Sequence, residues 1–277
     1  SDSLFLLILD PEAVKEDDKS AKLLPPVHHT ESADIYQCEF PEARTGDSLA
    51  HRTVQSQAFC GWLSYLLKKA DSTSPPVHDL CTVFTNAYQL GLIVSTLTST
   101  TVVGLVEPQN AYDKITNMNL AMDSLSQHFP GFSEVSASAI SSNNLKVALD
   151  FAWNLFYSSS LKPIEYCGLK DRFALLLWAQ HTASPFPNTP ILQDFANSFS
   201  DGLAICAIIE SKVPGSLDTR SFSAIQKQAN LRRALDAAEK HFGIPKLLSP
   251  VDVIRSDPDE ISMLVYLTLL YGHCKAS

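Results

Sequence analysis

The 277 residues predict an all-α protein, two modules of about four main helices each behind an irregular N-terminal extension. Three observations carry this. Apolar residues recur at helical spacing, as in residues 54–70, VQSQAFCGWLSYLLKKA, where Phe59, Trp62, Leu63, Leu66 and Leu67 share one face. Residues 199–209, FSDGLAICAII, read as a start signal and then a helix apolar on nearly every face, which belongs at the centre of a module. The chain also repeats itself at an offset of roughly 115 residues, pairing Trp62 with Trp178, Phe84 with Phe199, Asn117 with Asn230 and Asp123 with Asp236.

Residues 1–52 hold 11 acidic and 5 basic side chains, and Pro25, Pro26, Pro41 and Gly46 interrupt any periodicity, so they read as an extension. Its apolar start, SLFLLIL, has no basic residue before it and Asp10-Pro11 after it, which makes a poor signal peptide. The extension is expected to be partly disordered or to lie over a neighbouring surface, with docking of Leu4–Leu9 into an apolar groove as the alternative. His28, His29 and Glu31 have ligand chemistry but sit in a polar loop, and no metal is assigned.

The first module, residues 53–160, opens with the helix at 54–70, whose last turn carries Lys68 and Lys69, where positive charge suits the helix dipole. Asp71–Pro76 ends it. Further helices are expected at Leu80–Leu97, Asp113–Phe129 and Asn143–Tyr157, and Ser158–Cys167 is the natural linker. The second module, residues 164–277, begins with FALLLWAQ at 173–180. Asp201 can accept hydrogen bonds from the free N–H groups of the central helix, while Gly202 permits close backbone approach. Asn230–Pro245 is amphipathic and is closed by Gly243 and Pro245; Pro258, Asp259 and Glu260 then start a last helix, apolar all round.

Composition excludes several functions. No uncharged apolar run reaches the roughly eighteen residues of a membrane span. The six cysteines are scattered with no CxxC pair, and several lie in apolar helical patterns, as buried reduced thiols do. The net charge of −9 comes with no basic stripe, which argues against nucleic acid. There is no phosphate-cradling loop, nucleophile elbow or HExxH, so no enzyme and no cofactor are expected. Asp257, Asp259 and Glu260 lack the alternating ligands and glycine of a calcium loop and are read as a helix start. His181 and His241 are read as helix-end residues, capping or solvated.

The order LLLWAQ, FSDGLAICAII, NLRRALDAAEKHFGIPKLLSPVDV, PDEISMLVYLTLLY resembles the second calponin-homology (CH) module of α-actinin, β-spectrin, filamin and dystrophin. QSQAFCGWLSYLLKKA, KITNMNLAMDSL and NNLKVALDFAWNLF resemble, more loosely, the first module of the same tandem family. Where that family has Asp-Gly before its central helix, this chain has Asn86-Ala87, so local packing should differ there. Residues 98–108 also lack the family's basic loop.

The resemblance implies a cytoplasmic, cytoskeletal protein that binds filamentous actin through the first module, with the second adding affinity or regulation. The implied contact regions are Val54–Lys69, Asn143–Tyr157 and Leu169–Gln180, with Gln55, Ser56, Tyr65, Lys68, Lys69, Lys146, Asn154, Lys170 and Arg172 as candidates lying off the core-facing stripes. Trp62, Trp153 and Trp178 are assigned to module cores. Parvin-like docking to adhesion proteins and microtubule binding stay open as alternatives; with five basic residues across positions 53–163, the microtubule reading is the weakest. Ser184–Gln193 has no basic residue, so the phosphoinositide regulation of relatives is not carried over.

Overall fold

The computed structural model describes residues 48–218 and 223–275. The features read at Leu4–Leu9, His28, His29 and Glu31 lie outside the described residues. The first half runs α1 (Ser48–Ala70), α2 (Leu80–Asn86), α3 (Tyr88–Thr98), α4 (Ala111–His128), α5 (Ala137–Ile140) and α6 (Leu145–Phe156). A short hairpin follows, β1 (Glu165–Tyr166) antiparallel to β2 (Leu169–Lys170), with Glu165 opposite Lys170. Then come α7 (Asp171–Ala183), α8 (Leu203–Lys212), α9 (Lys227–Phe242), α10 (Pro250–Ile254) and α11 (Glu260–Lys275).

Three boundaries differ from the sequence reading, each for a local reason. The first helix begins at Ser48, so residues 48–52 are its opening turn rather than extension. The single helix expected at Leu80–Leu97 is two, bent by 92°. Ala87 there is left-handed (φ 60°), and the Asn86 side chain accepts from the Tyr88 N–H to start α3. The linker is largely ordered: Tyr157–Leu161 prolongs α6 as a π-helical turn, and Cys167 and Gly168, both at positive φ, turn the hairpin.

Each half has its own aromatic core. In the first, Trp62 meets Phe156 edge-on at 5.5 Å and Phe84 meets Phe151 at 5.0 Å. In the second, Trp178 meets Tyr271 at 5.1 Å, and α11 is buried at every position from Ile261 to Tyr271. Such edge-to-face pairs each add about 1 kcal/mol beyond area burial. Trp153 differs from the other two tryptophans: it is half-buried and stacks on Tyr157 at the rim of the core.

The repeat has a polar anchor in each half. Asn117 is fully buried, donating from Nδ2 to the Val106 carbonyl and accepting from the Val106 N–H. Asn230, equally buried, donates to the carbonyls of Asp201 and Ser223. Both tie a loop onto a long helix, satisfying backbone groups that would otherwise be buried unpaired.

The residue before the central helix shows how the halves diverge. Gly202 (φ 77°) sits where an added Cβ would lie 2.8 Å from the Leu231 nitrogen, and Asp201 accepts from the Leu203 N–H. Ala87 holds the same left-handed conformation with its methyl accommodated in a fully buried site. Opposite responses follow. Gly202→Ala should destabilise by roughly 2–3 kcal/mol, from strain plus backbone collision, whereas Ala87→Gly should cost less than 1 kcal/mol or stabilise slightly. Urea midpoints of the two variants check this.

Candidate functional site

The three candidate regions fall on α1, α6 and α7. Helix α1 is enclosed on most of its circumference. Ala58, Phe59, Trp62, Leu63 and Leu67 enter the first-half core, and α11 lies along another side. This seam between α1 and α11 organises the candidate residues.

At one end, Gln55 Nε2 donates to Asp259 Oδ1 at 2.7 Å. His51 Nε2 lies 3.1 Å from the Asp257 carbonyl and 3.5 Å from its carboxylate. Arg172, from α7, pairs with the neighbouring Glu260 and lies over the Phe195 ring, 5.7 Å from its centroid. Two predicted regions therefore converge on consecutive acids at the start of α11. In mid-seam Gly61 faces Leu247, whose Cδ2 would lie 2.0 Å from a Cβ on Gly61. At the far end Tyr65 Oη is 2.7 Å from His273 Nε2, and the Lys69 ammonium sits 4.4 Å from the Tyr65 ring centroid.

Gln55 thus departs from the sequence reading. It is only 9% exposed and Tyr65 is half-buried, because the stripe drawn from one module's periodicity cannot register a second module on the other side. Lys68 and Lys69 are exposed at the end of α1, and Ser56 is half-buried. Lys146 is exposed in the first turn of α6, and Asn154 is half-buried. Lys146 and Arg52 both act on Asp150, whose carboxyl is pushed up by burial and pulled back by these two cations. Lys170 is exposed and pairs with Glu165 at 3.1 Å. The basic groups so form two sites, Arg52 with Lys146 and Lys68 with Lys69, separated along α1 by roughly 24 Å.

Residues that the sequence reading missed are His51, Arg52, Leu247 and His273. A glycine inside a helix costs about 1 kcal/mol relative to alanine, so Gly61 between Cys60 and Trp62 was a readable sign of close approach. Nothing in the sequence pattern marks His273. His181, read as capping or solvated, is half-buried with Nδ1 3.3 Å from the Tyr166 hydroxyl, and burial lowers its pKa.

Among the described residues no cluster of three His, Cys, Asp or Glu side chains could hold a metal. Burial pushes the Cys60 thiol up to about 11 and Cys206 to about 12, which keeps both protonated and poorly nucleophilic. No single helix among the described residues is long and apolar enough to cross a membrane. What the arrangement provides is surface: two basic spots on one long helix, and a seam beside them.

Residues 169–276 match the calponin homology (CH) domain. Relatives that match over more of the chain include alpha-actinins. Sarcomeric alpha-actinin of Drosophila melanogaster is 29% identical over 218 residues, covering 78% of this chain and 23% of that protein. Alpha-actinin A of Dictyostelium discoideum is 29% identical over 232 residues, covering 82% of this chain and 26% of that protein. The chain thus spans about a quarter of these relatives. Among solved structures, the actin-crosslinking core of Schizosaccharomyces pombe fimbrin shares the fold, with a TM-score of 0.51 and 18% identity over 79% of this chain and 48% of that one.

The seam is testable by stability. Gln55→Ala and Tyr65→Phe should each cost about 1 kcal/mol through a lost hydrogen bond. Since they stand roughly 15 Å apart along α1, the double variant should lose the sum. A double variant no less stable than either single variant would show that the two ends do not act independently.

Proposed function

We propose that this chain is a tandem pair of CH modules, residues 53–160 and 164–277, that binds actin filaments. The observation that carries this reading is the alpha-actinin match over 218 residues, twice the reach of the CH match at 169–276, so the likeness extends into the first half. The paired asparagines, Asn117 and Asn230, each tying a loop to a long helix, support two related modules. The contact surface is the exposed part of α1 and α6, with Lys68, Lys69 and Lys146 as its charged rim and Ser56 and Asn154 beside them. The role is binding, without catalysis, and places the protein in the cytoskeleton.

Gln55 and Tyr65 are engaged across the seam, so they become fully available to a filament only when α1 and α11 separate, whereas Arg172 and its partner Glu260 lie in the same half. The closed seam therefore holds part of the binding surface in reserve, a two-state arrangement that a partner can shift. Gly61→Leu, placing a side chain against Leu247, should wedge the seam and increase filament binding. Equal binding by a variant with unchanged helix content would count against this regulation.

A second reading rests on one observation: Val103, Val106, Tyr112 and Ile115 are exposed apolar residues of the first half. Such residues suit a docking adaptor for other cytoskeletal or adhesion proteins. Co-sedimentation with filamentous actin at low and physiological salt, with microtubules in parallel, separates the readings. Saturable pelleting with actin alone is expected. Replacing Lys68, Lys69 and Lys146 together by Glu should weaken it by about tenfold, each exposed charge being worth up to about 1 kcal/mol. The loss should shrink at high salt. No pelleting with either polymer would favour the adaptor.

A further inference from the structure

We propose that His273 makes the seam between α1 and α11 sensitive to acid, closing it when the ring is neutral and releasing its Tyr65 end when the ring is protonated. This rests on the reading of the seam as a contact that opens, and deepens it by naming what controls it.

The contact at His273 accommodates a neutral imidazole. Its Nε2 lies 2.7 Å from Tyr65 Oη, and with the ring proton on Nδ1 it accepts from the phenol. The ring packs face-on against Phe242 of α9, at 5.5 Å and 24°, and edge-on to Tyr65 at 6.0 Å. Protonation turns Nε2 into a donor, so the phenol must reverse its role, and it leaves a positive charge in a half-buried site beside Lys69.

The groups around the ring oppose a positive charge. Helix α1 contributes Tyr65 and Lys69, and the last turn of α9 contributes Phe242 with Lys240 and His241. On its own helix the ring is followed by Cys274 and Lys275, and Lys212 of α8 donates to the Cys274 carbonyl. Glu239, the carboxylate in that last turn of α9, is paired with Lys246 at 3.3 Å. The carboxy-terminal dipole of α11 favours the cation, yet burial first and then Lys69 hold the His273 pKa below its ordinary 6.5.

The sign follows. A histidine whose pKa is depressed in the closed form stabilises closure above the open-form pKa, near 6.5, and that stabilisation is lost as pH falls below it. One proton can change the closing equilibrium by at most about tenfold per pH unit. At the other end of the seam His51 Nε2 lies 3.5 Å from the Asp257 carboxylate.

Small-angle scattering of the whole chain without actin, at pH 7.5, 6.5 and 5.5, reads opening directly. The radius of gyration should rise as pH falls below 6.5 in the wild type and stay constant in His273→Gln, which offers a neutral acceptor that does not titrate. His51→Gln, altered at the other end of the seam, should still expand as pH falls. If His273→Gln loses helical circular dichroism, His273→Phe, which keeps the stacking on Phe242, replaces it with the same expectation of a flat profile. A wild type that does not expand, or a folded His273 variant that expands equally, overturns the proposal. Pelleting with actin at the same pH values is a separate arm. Expansion without actin binding leaves the acid response standing and removes the filament reading, and actin binding without expansion does the reverse.

Discussion

The contact between Gly61 and Leu247 sets how closely the two halves approach, and most of what is specific to this molecule follows from it. Because no side chain projects from α1 at that point, the helix can serve two neighbours, its own core on one side and the second half on the other. Close approach then brings His51 and Gln55 within hydrogen-bonding distance of Asp257 and Asp259, just before α11, and Tyr65 within reach of His273 in its last turn. A methyl group at position 61 would force Leu247 to move before any of these bonds could form with the same geometry. The seam is therefore a single device with two polar ends and one steric gauge.

Its chemistry contrasts with that of the cores. Each core is held by large buried aromatics and aliphatics, whose separation exposes apolar area at about 25 cal/mol for every Å². The seam ends are hydrogen bonds and ion pairs among groups that water can satisfy once the halves part, so each is worth only about 1 kcal/mol net. Arg172 and Glu260 are each more than a third exposed, which places their pair among the weakly stabilising ones. Cores built to persist and a seam built to exchange partners is the combination that a reversible two-part binder requires.

Much of the fold was legible because periodicity and caps are local. The stop at Gly243 appears as a left-handed C-cap at φ 66°, and Asp201-Gly202 does what its residue types suggested. The repeat was legible because buried Asn117 and Asn230 solve the same backbone problem twice. The break at Ala87 was not, since alanine is the best helix former and nothing local announces that it turns left-handed. The engagement of Gln55 was also hidden: its burial comes from a contact between positions 204 residues apart, beyond the reach of any window on the sequence. The acids at 257–260 were read correctly as a helix start, but the same carboxylates also receive α1 and α7, a second use that spacing cannot reveal.

The distribution of charge ties these points together. The first half carries few basic residues, and its exposed lysines are spread over the end of α1 (Lys68, Lys69), the start of α4 (Lys114) and the start of α6 (Lys146). An acidic chain gains little long-range attraction to an acidic polymer, so affinity must come from contact area and from polar groups released when the seam opens. On the function proposed above, Gln55 and Tyr65 are such groups. Holding them on Asp259 and His273 until a partner competes would then make the state of the seam, rather than net charge, the quantity that sets binding strength.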